Sequence, residues 1–245
     1  MSDAKTVLGW SKPPKINWDC EAGKLLRKLF VKIPKKPSEI TVFGSACLQL
    51  CLKNDFLSAD VDFFSETDYN KLINDLDLGK GQTEFYLEQP PAMTFIAAVD
   101  WRNRSYSEEV DGITVVFPHP LDILTSKVKR LEKKDLDAFF LVKNLTGHPT
   151  EDEMIKSLQG IVDMYRPNFD EENPGGDLTV NTIELWKEFF GNGIDVKKQI
   201  IIPALAERNK YYDPLSNHRK ELVKELIDED DPHHLRPPIN TNEHE

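Results

Sequence analysis

The chain has 245 residues, of which 39% are apolar, 30% charged and 9% aromatic, enough to bury a sizeable core in one large or two small domains and against disorder of the whole chain. A net charge of −11 argues against nonspecific binding of nucleic acid over the whole surface, and no apolar run approaches the ~20 residues of a membrane helix. Cys20, Cys47 and Cys51 are too few, and odd in number, for a disulfide framework; with no apolar h-region in MSDAKTVLGWSKPP, a cytoplasmic protein without a secretory signal is expected. Residues 1–20 read as irregular. Leu25, Leu26, Leu29 and Phe30 then repeat at helical spacing over 21–33, with Lys and Arg on the other face, until Pro34 and Pro37 end the pattern. Residues 1–37 thus form an arm and a basic helix.

Residues 40–43 (ITVF) are a short β-like run that meets Gly44-Ser45, and Ala46 to Lys53 is apolar nearly all round, as in a buried helix. From Ala59 to Phe64 the residues alternate, with Ala59, Val61 and Phe63 on one side and Asp60, Asp62 and Phe64 on the other. A helix is expected from Thr67 or Asp68 to about Leu76. Strands are expected at 83–87, 93–101 and 112–117, with Asp111-Gly112 as a hairpin element. A helix follows from about Leu121 to Asn144. His148-Pro149 is the expected domain boundary, after which 150–164, 177–190, 195–210 and 215–229 read as helices. Residues 231–245 read as a disordered acidic tail: residues 213–245 carry nine Asp/Glu against four Lys/Arg. Cys47 and Cys51, one helical turn apart, read as core residues, as do Trp186, Phe189 and Phe190.

The stretch 42–64 carries the chemistry. Gly44 permits a tight turn and leaves room for a ligand. Ser45 opens a helix whose free N–H groups favour a phosphate. Asp60 and Asp62 share one strand face with Cα atoms roughly 6.6 Å apart, a spacing from which two carboxylates can converge on Mg²⁺. Either half alone is a weak signal. Together, on a strand–helix–strand frame, they are a stronger one, set against the alternative of two solvated aspartates on an edge strand.

Phe43-Gly44-Ser45 followed by Asp60-Val61-Asp62-Phe63 resembles the first motif of the DNA polymerase β-like nucleotidyltransferase superfamily. Ser45, Ala46, Leu48 and Ser58 make it most similar to the abortive-infection (AbiEii-type) nucleotidyltransferase toxins, over roughly residues 38–145. The resemblance implies an α+β fold: a small mixed β-sheet with flanking helices over 38–145, followed by a helical domain over 146–230. It implies an Mg²⁺-dependent enzyme that moves a nucleoside monophosphate from an NTP to a hydroxyl of a tRNA or protein, with an antitoxin as partner. It also implies a third carboxylate, for which Asp100, late in a β-like run, is preferred to Asp111 in a turn. Lys127 and Lys134 match basic nucleotide-binding positions, Lys134 with Asp135 as a basic–acidic pair. The sequence departs from the pattern in having Lys134 for Arg, Ala138 for a second Asp, and no Arg before Asp60. Those departures leave open a non-catalytic NTP-binding or antitoxin-like module.

Overall fold

Leu25, Leu26, Leu29 and Phe30 form the buried face of α1 (Glu21–Lys32) in the computed structural model, which describes residues 15–37, 39–52, 59–91, 94–165 and 177–211. Residues 1–14, Ser58, the helix expected at 215–229 and the acidic tail lie outside the described residues. Ile33 turns to an extended backbone after α1, and Pro34 cannot donate the next helical hydrogen bond. The opposite face leaves Lys24, Arg27, Lys28, Val31 and Lys32 exposed.

Five strands follow: β1 (Glu39–Val42), β2 (Asp60–Phe64), β3 (Tyr86–Glu88), β4 (Tyr106–Val110) and β5 (Ile113–Phe117). They form one mixed sheet in the order β3-β2-β1-β5-β4. The β1–β5 and β2–β3 pairs are parallel, and β1–β2 and β4–β5 antiparallel. The fold is therefore α+β, with helices flanking a five-stranded mixed sheet. Between β1 and β2 runs α2 (Gly44–Cys51), with every residue from Ala46 to Cys51 buried. Cys47 Sγ lies 3.6 Å from the Pro118 carbonyl oxygen, so its thiol serves the core. The helix expected near 68–76 is α3 (Asn70–Asp75).

The sequence expectations need three corrections here. The run around 93–101 is not a strand over its described residues 94–101. Phe95 packs instead on Phe43 and Trp101, with ring centroids 5.6 and 5.3 Å apart, and the Ile96 N–H donates to Ser126 Oγ. Val99 is fully exposed, and Asp100 precedes a single 3₁₀ turn, Trp101–Arg104. Second, β4 was not expected, because Ser107, Glu108 and Glu109 lack an apolar alternation; they are the exposed residues of a charged edge strand. It joins β5 through Asp111 and Gly112, both at positive φ, in the two-residue hairpin geometry that right-twisted strands favour. Third, the helix expected over 121–144 is two helices, α4 (Pro120–Val128) and α5 (Lys133–Thr146), with Leu131 at φ +45° between them.

After a cis His148-Pro149 peptide bond come α6 (Glu151–Gln159), a 3₁₀ turn at Val162–Met164, and α7 (Leu178–Leu185) continuing into a π-turn at Trp186–Phe190. A second π-turn, Lys197–Ile201, leads into α8 (Ile202–Tyr211). One continuous apolar cluster takes in Leu26, Phe63 and Phe117 from the first part and Leu158, Trp186 and Ile200 from these helices. The helices beyond His148-Pro149 therefore share a core with the sheet.

One buried ion pair ties the loop before β4 to α4. Arg104 donates to both oxygens of Asp122, at 2.7 and 3.2 Å, and the Asp122 side chain is fully buried. Burial pushes the Asp122 carboxyl up, and Arg104 opposes that rise. Replacing Arg104 with Met strands a buried carboxylate and should cost about 3–5 kcal/mol, read as a lower urea midpoint. Arg102, exposed and paired with Glu39 at 2.7 Å, is the comparison: Arg102→Met should cost less than about 1 kcal/mol.

Candidate active site

The alternation read in the sequence holds. Val61 and Phe63 are buried, while Asp60 and Asp62 point to the other face of β2. That face opens on a cleft of about 430 Å³ lined by Gly44, Ser45, Asp60, Asp62, Glu88 and Lys127, among others. Gly44, the first residue of α2, has φ +66°, and a Cβ there would lie 2.5 Å from Asp62 Oδ2. The turn thus requires glycine twice, for its conformation and for the carboxylate it brushes.

The third carboxylate is Glu88. In the parallel β2–β3 pairing, Asp62 is registered with Glu88 and Asp60 with Tyr86, so Glu88 stands beside Asp62 on the same face. One oxygen from each of Asp60, Asp62 and Glu88 lies within 4.8 Å of the others, a group that could hold a metal ion. Asp100 does not join them: it is over half exposed and accepts from Arg104 Nη1 at 2.8 Å. Asp111 sits at the tip of the β4–β5 hairpin. Glu88 was within reach of sequence reading. The strand expected at 83–87 stops one residue short of it, and the parity of Tyr86 and Glu88 matches that of Asp60 and Asp62.

Facing the carboxylates is a wall of cations. Lys127, on α4, places its Nζ 3.0 Å from Ser45 Oγ and 2.9 Å from Asp135 Oδ1. Asp135, fully buried in the first turn of α5, also accepts from Arg130 Nε and Nη2 and from the Glu132 N–H. Burial alone would raise this carboxyl; Arg130 and Lys127 outweigh it and hold it below the usual carboxylate range. Lys134 lines the same cleft but is 61% exposed and lies 3.6 Å from Glu132. Arg130, and not the Lys134 that the motif pairs with Asp135, makes the contact with that carboxylate, at 3.0 and 2.9 Å. It became visible only when the chain broke between α4 and α5.

Asp62 carries the electrostatic signature of the site. Burial first, then the charges of Asp60 and Glu88, push its carboxyl up to about 7, against the pull of Lys127 and Arg130. No family model, no curated protein and no solved structure matches this chain. What the site can do therefore rests on its own geometry.

A cation bound here must displace the Asp62 proton, so affinity should rise with pH below about 7 and level off above it. Calorimetric titration with Mn²⁺ should give about a tenfold gain between pH 6 and pH 8. A flat profile would remove Asp62 from the ligand set.

Proposed function

We propose that the chain is a nucleotidyltransferase of the DNA polymerase β-like type, moving a nucleoside monophosphate from an NTP to a hydroxyl with release of pyrophosphate. One observation carries the reading: three carboxylates meet beside a glycine turn, and Lys127 and Arg130 line the same cleft. The donor set is all oxygen, and the burial and crowding that push Asp62 up to about 7 would be relieved by a hard divalent cation. Asp60, Asp62 and Glu88 would hold Mg²⁺, which when bound neutralises phosphate oxygens during transfer.

The remaining roles belong to side chains and backbone. Ser45 and the start of α2 receive phosphate oxygens. Lys127 and Arg130 stabilise the charge that builds on the departing pyrophosphate, and Lys134 adds a cation at the rim. The acceptor oxygen attacks the α-phosphorus, the bond to the β-phosphate bridging oxygen breaks, and the acceptor proton passes to Glu88. The proposal extends to a tRNA or protein hydroxyl as acceptor and to an antitoxin as partner. It also extends to the cytoplasm as the place of action, in keeping with three free buried thiols. Among the described residues, no helix is long and apolar enough to cross a membrane.

The test is release of pyrophosphate, or self-labelling, from each labelled NTP with Mg²⁺. Glu88→Gln should lower turnover at least a hundredfold, whereas Asp100→Asn should leave it within about threefold. The reverse ranking would return the third carboxylate to Asp100. Saturable NTP binding with no pyrophosphate from any acceptor would make the chain an NTP-binding module.

A further inference from the structure

The exposed face of α1, which packs against α2, borders a second groove of about 630 Å³. Trp18, Leu76 and Leu78 supply its apolar lining, and Lys28, Val31 and Lys32 its edge. Val31 is 67% exposed, an apolar side chain set among cations. Lys28 and Lys32 have no carboxylate within 4 Å among the described residues. The Trp18 indole N–H, buried, has no acceptor among them either. A groove with an apolar floor and unpaired cations on its edge fits an acidic amphipathic segment better than a bare phosphate chain, which would leave the floor unused.

The chain contains such a segment. Residues 221–231 read ELVKELIDEDD, with six acidic residues to one lysine. Leu222, Val223, Leu226 and Ile227 recur at the spacing of one helical face. The other nearby candidate, residues 1–14, has the wrong sign, with Lys5 and Lys12 against Asp3. Every copy carries both the basic groove and the acidic segment, so two copies can satisfy the opposite charges reciprocally.

We infer that residues 221–231 of one copy seat in the α1 groove of another, giving a dimer with two equivalent contacts. The apolar face lies on Trp18, Val31, Leu76 and Leu78, and the acidic residues face Lys28 and Lys32. This inference is independent of the nucleotidyl-transfer reading.

The experiment uses full-length protein in two charge-reversed forms. One carries Lys28→Glu and Lys32→Glu; the other carries Glu225→Lys, Asp228→Lys and Glu229→Lys. Sedimentation velocity across a concentration series should show the native chain dimerising. Each variant alone should weaken that association at least tenfold. An equimolar mixture should restore it, because the acidic groove then meets the basic segment and the native segment meets the native groove. All the substitutions are on exposed residues of α1 or in 221–231, and unchanged melting temperatures confirm intact folds. A native chain that stays monomeric, variants that dimerise normally, or a mixture that fails to associate would each overturn the inference.

Discussion

Asp62→Asn is expected to abolish metal-dependent pyrophosphate release and, at the same time, to stabilise the metal-free protein. Loss of a ligand worth several kcal/mol of transition-state stabilisation should lower turnover by about a hundred- to a thousandfold or more. The stability effect follows from the sign of the pKa shift. Asp62 titrates at about 7 in the fold against 3.8 for an ordinary aspartate, so between those values the folded chain holds the proton more tightly than the unfolded chain does. Stability of the metal-free protein therefore falls as pH rises through that window, and above about 7 the full cost of a charge crowded by Asp60 and Glu88 is present. Asparagine removes that cost. At pH 8 the variant should be more stable, on the order of 2 kcal/mol, read as a higher melting temperature in chelator. Turnover near the native rate would end the metal role of Asp62. A variant less stable at pH 8 than the native protein would end the account of repulsion.

Gly44→Ala should weaken metal binding, although glycine binds nothing itself. An alanine at φ +66° costs roughly 1–2 kcal/mol of backbone strain. Its Cβ would also stand 2.5 Å from Asp62 Oδ2, so the carboxylate must leave its place among Asp60 and Glu88. Mn²⁺ affinity should drop at least tenfold, about 1.4 kcal/mol. Gly147, the residue that ends α5, separates strain from displacement: its φ is +79° and nothing lies within 4 Å of an added Cβ. Gly147→Ala should cost similar stability and leave Mn²⁺ affinity unchanged. Equal affinities for the two variants would mean that the glycine turn does not set the carboxylate's position.

Much of the site could be read from residue order because it rests on local rules. The parity of Asp60 and Asp62 on a half-buried strand, and the glycine before a buried helix, each depend on a few neighbouring residues. Glu88 and Arg130 depend on pairings made far along the chain. Glu88 reaches Asp62 only through the β2–β3 register, and Arg130 reaches Asp135 only because the chain turns at Leu131. That turn was hidden by periodicity: Leu124, Val128, Leu131 and Phe139 are all buried and read as one long helical stripe. The countersignal was Asp135, whose side chain takes the Glu132 N–H and starts a new helix. The run TFIAAV misled for the opposite reason. Its β propensity is real, but Phe95 is held by Phe43 and Trp101, and Ala98 packs against Gly160, where an added Cβ would come within 2.6 Å. The edge strand β4 had too few apolar residues to announce itself, and pairing with β5 supplies what propensity does not.

The attachment of Lys127 at both ends of its reach has a consequence for any ligand entering the cleft. An ammonium group has three hydrogens. One is directed at Asp135 and one at Ser45, so the third has a single remaining direction. The residue behaves less as a mobile counter-ion than as an aimed donor, its orientation set before anything arrives. The same two bonds splice the elbow between α4 and α5 to the start of α2, so a shift at either end is carried to the other through one side chain.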